Sequence, residues 1–159
     1  MLIRMSGGHT GQLKSFAYTN YSKKEVNHAI QCLFKKHTDL VPPLKYKSSM
    51  IHYYRDLYTP ESRAMNADTV QFHFYIKTEN GNEVLFWLGF SYYDIIKEWE
   101  DKPSELVLIG YRENENGMKT QKDFGIFKPI RFDKKIKLFE KEILPKIKYF
   151  LEHPEECKP

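Results

Sequence analysis

The side chains able to do chemistry are scattered along this chain. Six histidines, His9, His28, His37, His52, His73 and His153, are spread over 159 residues. A zinc helix would set two of them four positions apart beside a carboxylate, and none are so placed. Each reads as a solvated or hydrogen-bonded imidazole. Carboxylates group at Glu98, Glu100 and Asp101 and at Glu140 and Glu142, among lysines at helical spacing, the pattern of a solvated helix face. Cys32 has no base partner that spacing identifies, and it reads as a small, part-buried residue at the edge of a helical stripe. No nucleophile elbow is present. The expectation is a chain without a catalytic set, metal site or cofactor.

Binding is the chemistry these residues favour, through aromatic side chains. Tyr and Phe number eleven each, and aromatics make up 15% of the chain. From Val70 onward, Phe72, Phe74 and Ile76 alternate with Gln71, His73, Tyr75 and Lys77. Beyond an Asn80-Gly81 turn, Val84, Phe86, Leu88 and Phe90 alternate with Glu83, Leu85, Trp87 and Gly89. One face is greasy, and the other carries His73, Tyr75, Leu85 and Trp87. Left uncovered, that second face is the kind of exposed patch that marks a binding surface. Residues 50–58 or 92–99 are the segments able to cover it. The leading expectation is a non-catalytic protein that binds a protein or peptide partner there. The alternative is a small-ligand-binding domain or enzyme with a pocket between the sheet and residues 44–68. Tyr53, Tyr54, Arg55, Glu61 and Arg63 would supply its polar groups.

Charge argues against nucleic acid as the main partner, since 25 basic against 21 acidic residues leave only +4. Lys134, Lys135, Lys137, Lys141, Lys146 and Lys148 cluster, but Glu140 and Glu142 interrupt them, so a solvated helix face is expected. No apolar run approaches the roughly 20 residues of a membrane span. The segment 1–5 has an Arg and no apolar core, so no signal peptide is visible and the cytoplasm is expected, with a processed exported protein as the alternative. Two cysteines, Cys32 and Cys157, are too few for a disulfide framework and lack metal spacing.

One short motif points elsewhere. Ser6-Gly7-Gly8-His9-Thr10-Gly11 resembles the nucleotide-sugar loop of MurG-type glycosyltransferases and, more loosely, the Ser-Gly-Gly loop of ATP pyrophosphatases. The resemblance implies a phosphate-binding loop with a parallel βαβ sheet behind it. It is not a Walker loop, because Leu13 rather than glycine precedes Lys14.

The elements that must position these residues follow from periodicity. The Asn-Gly pair predicts a β-hairpin. A three-residue loop, Glu79-Asn80-Gly81, pairs Phe74 with Phe86 and Phe72 with Leu88, and so keeps the large apolar residues on one face. Ser22 and Glu25 form a capping box ahead of Val26, Ala29, Ile30, Leu33 and Phe34, a helix over 23–37. Residues 12–21 suit an extended edge segment, 105–112 a third strand and 119–127 a fourth beyond the turn at Asn114-Glu115-Asn116-Gly117. The register of that second hairpin is open. Asp133 can cap a last helix to about residue 151, which Pro145 should kink or split. Residues 1–20 and the tail from 153 are expected to be flexible. The sum is a single α+β domain: an antiparallel sheet of about four strands packed against an N-terminal and a C-terminal helix.

Overall fold

The computed structural model describes residues 13–47, 71–91, 98, 100–114, 116–117, 119–120 and 130–158. The motif at residues 6–11 lies outside them, as do Tyr53, Tyr54, Arg55, Glu61, Arg63 and most of the 92–99 segment. In order the elements are β1 (Lys14–Tyr18), α1 (Lys23–Lys36), a short α2 (Leu44–Lys47), β2 (Gln71–Lys77), β3 (Glu83–Phe90), β4 (Ser104–Glu113), β5 (Lys119–Thr120), α3 (Ile130–Glu142) and α4 (Leu144–Glu152). The fold is α+β.

The central hairpin has the expected register. Phe74 pairs with Phe86 and Phe72 with Leu88. The loop closes through Gly81 N–H donating to the Thr78 carbonyl at 2.9 Å, and Gly81 takes φ +82°. Only a residue without Cβ adopts that conformation at no steric cost. Strand order is β1-β4-β3-β2, with β5 also on β4. Every described pair is antiparallel. The described sheet is therefore not the parallel βαβ sheet that the residue 6–11 resemblance implies.

Helix α1 starts on the predicted capping box: Glu25 N–H donates to Ser22 Oγ at 3.2 Å and Ser22 N–H to Glu25 Oε2 at 2.8 Å. Its stripe of Val26, Ala29, Ile30, Leu33 and Phe34 is buried. The C-terminal helix splits as proline requires, because Pro145 has no N–H to give. Lys146 N–H turns back to the Ile143 carbonyl at 3.1 Å, and the Lys146 ammonium satisfies the Glu142 carbonyl at 2.9 Å. The first half begins earlier than an Asp133 cap would place it, at Ile130.

Helices α1, α3 and α4 lie over the Phe72/Phe74/Phe86 face. Phe34 stacks on Phe74 with ring centroids 4.6 Å apart, and Phe139 of α3 meets Phe86 at 5.3 Å and Phe16 of β1 at 5.5 Å. Ile147, Phe150 and Leu151 of α4 complete the same core.

Two features at the C-terminus carried no signal in the sequence. Cys32 and Cys157 form a disulfide, with Cα atoms 5.3 Å apart. The tail expected to fray instead makes a 3-10 turn over Pro154–Cys157, ending on that bond. Two cysteines make no framework, but a single pair can still meet when the topology lays the C-terminus beside α1.

Candidate functional site

The second sheet face is built by alternation. Cross-strand pairing sets His73 opposite Trp87 and Tyr75 opposite Leu85. The rings of His73 and Trp87 are parallel, 6.3 Å apart, and Trp87 Nε1–H donates to Gln71 Oε1 at 2.5 Å. His73, Tyr75 and Leu85 are only 3%, 9% and 2% exposed, while Trp87 is half-buried. The condition for an exposed aromatic patch is thus not met at three of the four positions. Burial holds the His73 imidazole down to about 4, so it is neutral at pH 7.

Part of the cover is Tyr46 of α2, which periodicity did not single out. Its ring lies 6.1 Å from that of Tyr75, and it packs with Tyr75 and Leu85 in one buried cluster. Both phenols donate to the Glu83 carboxylate, Tyr46 at 2.5 Å and Tyr75 at 2.8 Å, and Lys45 Nζ joins at 2.7 Å. These three donors, Lys45 first, hold Glu83 down to about 2. Burial, then the Glu83 bond, pushes Tyr75 up to about 12 and raises Tyr46. Lys45 Nζ and the Arg112 guanidinium sit 5.1 and 5.3 Å from the Tyr46 ring centre. The main chain of Glu83 is clasped as well: its N–H donates to Asn114 Oδ1 at 3.0 Å, and Asn114 N–H donates back to its carbonyl at 2.7 Å. Glu83 therefore spends its acceptors on holding α2 and the β3–β4 end together. Chemically this is a clasp and not an open acid.

An open surface lies at the other edge of the sheet. Among the described residues strand β1 is outermost, with Lys14, Ser15 and Ala17 exposed and Phe16 and Tyr18 half-buried toward the helices. Ser91 N–H donates to the Glu105 carbonyl at 2.9 Å, so the Glu105 main chain faces β3. Backbone direction alternates along an antiparallel strand, which turns Leu106 toward β1 and its partner Phe16 toward β4. Ser15 and Ala17 then direct their N–H and C=O groups away from the sheet. Between this edge and α4 runs a groove of about 760 Å³, lined by Phe16, Tyr18, Tyr21, Leu144, Pro145 and Leu151. Burial pushes the Tyr18 phenol up to about 12. Lys148 and Glu152, 3.9 Å apart, stand on the rim, and a Lys14–Glu140 ion pair links β1 to α3. The edge is where residues 12–21 were expected to lie. The groove had no sequence signal, because it exists only once α4 is laid against β1, across the whole length of the chain.

Of the remaining candidates among the described residues, His28 and Glu100 line one open pocket with Ser22, Lys24, Glu25 and Lys102, where Lys24 pairs with Glu100 at 2.7 Å. His28 is exposed, His37 meets the edge of the Phe150 ring, and His153 stacks on Tyr149. Among the described residues no group of three or more His, Cys, Asp or Glu side chains is placed to hold a metal ion. The basic cluster is partly neutralised, with Lys135 at 3.2 Å from Glu113. No helix among the described residues is long and apolar enough to cross a membrane.

No family model, curated protein or solved structure matches this chain. The functional reading therefore rests on the geometry alone.

Proposed function

We propose that this chain is a non-catalytic binding protein that captures an extended segment of a protein or peptide partner. The segment lies along β1 as an added strand. The observation that carries the reading is the pairing of an exposed strand, outermost among the described residues, with an apolar groove on its helix side. Strand addition draws affinity from main-chain hydrogen bonds and specificity from pockets for alternate side chains. Ser15 and Ala17 offer the first, and the Phe16, Tyr18 and Leu151 groove offers the second. Natural sheet edges left unpaired invite such pairing, and Lys14 with a short strand limits it to partners that also fill the groove.

The test is a displayed library of extended peptides, with affinity measured by calorimetry for the enriched sequences. Ala17→Pro and Ser15→Pro each remove an outward N–H while leaving the bonds to β4 in place, the one strand position proline tolerates. Expected is at least a tenfold loss of peptide affinity with an unchanged melting temperature. Trp87→Ala separates this site from the opposite sheet face. Loss of binding on Trp87→Ala with full binding by both proline variants would return the site to His73, Tyr75, Leu85 and Trp87.

A further inference from the structure

We infer that Cys32 and Cys157 are joined in the working protein, and that the chain acts where thiols are kept oxidised. The inference stands on its own observations and does not need the strand-capture reading.

These are the only two cysteines in the chain, and 125 positions separate them. The fold nevertheless sets their Cα atoms 5.3 Å apart, within the span a disulfide bridges without backbone movement. Both are buried, Cys32 at 4% and Cys157 at 9% exposure. Their surroundings explain what the bond is for. In the terminal turn Pro154, Glu155 and Glu156 are exposed, and Cys157 is the residue that enters the core. Packing of apolar side chains does little to fasten this turn; the sulfur bridge does it, together with the Tyr149 hydroxyl, which donates to Glu156 Oε1 at 2.6 Å. The turn lies against both α1 and α4, and the bridge ties it to Cys32 of α1.

Burial also decides what kind of disulfide this is. Exchange with another thiol needs an accessible sulfur, and catalytic or sensing cysteines are placed accordingly. A bridge shielded on both sides is structural. Structural disulfides form and persist in secreted, periplasmic and similar oxidising settings, whereas the cytosol holds thiols reduced. Of the two compartments left open by the first residues, this reading takes the exported one.

The test begins in the cells that make the protein. Acid quenching followed by alkylation with a maleimide polymer under denaturing conditions traps the thiol state. Expected is no mass shift without prior reduction and a two-polymer shift after it. Thermal unfolding of the purified chain should fall by roughly 10 °C on reduction, because the bridge closes a long loop of the unfolded chain. Cys32→Ala, Cys157→Ala and the double variant should share that lowered midpoint and show no further response to reductant. Two reactive thiols in quenched cells, or equal midpoints for oxidised and reduced protein, would overturn the inference. The thiol trapping and the reduction melt use the unaltered chain, so they decide the matter even if a variant fails to fold.

Discussion

His73 shows how one buried side chain sets a pH dependence. Its imidazole is 3% exposed and titrates at about 4, against 6.5 for a free histidine. Between those values the unfolded chain binds a proton that the native chain refuses. Stability is therefore fully present above pH 6.5 and is lost as pH falls toward 4. Urea unfolding at pH 8 and pH 5 should differ by about 2 kcal/mol from this group. His73→Phe should flatten that window, and an unchanged slope in the variant would assign the loss elsewhere. Glu83 acts in a lower window. Its carboxyl is held at about 2, so its contribution is present above the ordinary 4.5 and lost as pH falls through about 2. Glu83→Gln should lower the melting point at pH 7 and leave the region below pH 4 flatter.

At the scale of the element, the hairpin was legible because two constraints agreed. Alternation demanded one apolar face, and only a three-residue loop gave it; Gly81 then had to take the left-handed position. No atom lies within 4 Å of a Cβ added there, so Gly81→Ala meets backbone strain alone. It should cost about 1 kcal/mol by denaturant unfolding, and Gly81→Asn less. Helix α1 and the break at Pro145 were legible for the same reason, since capping and proline chemistry act locally. The cover over Tyr75 was not. Tyr46 follows Pro42-Pro43 in a helix of a single turn, too short for any period to show, and its value comes from Glu83, far along the chain. The exposed β1 edge was legible as an extended segment, but its groove needed the position of α4.

Around the β2-β3-β4 sheet, the described fold is closed by contacts between distant parts of the chain. Strand β1 pairs with β4, α1 packs on α4, and the terminal turn rests on α1. The pairs that join them span most of the sequence, so the loop entropy they must overcome is repaid only when the core closes as a unit. Helix α4 is the last piece of that closure. Ile147, Phe150 and Leu151 are buried in the same cluster as Val26, Ile30 and Leu33. A chain ending at Glu142 would expose the apolar stripe of α1 and lose one wall of the β1 groove at once. It should melt without a cooperative transition and bind a hydrophobic dye, whereas the full chain melts sharply. A milder change, on α3, keeps every element in place. Phe139→Ala removes a ring that touches Phe16, Phe74 and Phe86, and should cost about 3–5 kcal/mol while preserving cooperativity. Cooperative melting of the truncated chain would mean that the sheet with α1 and α3 is stable alone. Helix α4 would then be an accessory wall of the groove and no longer part of the closed core.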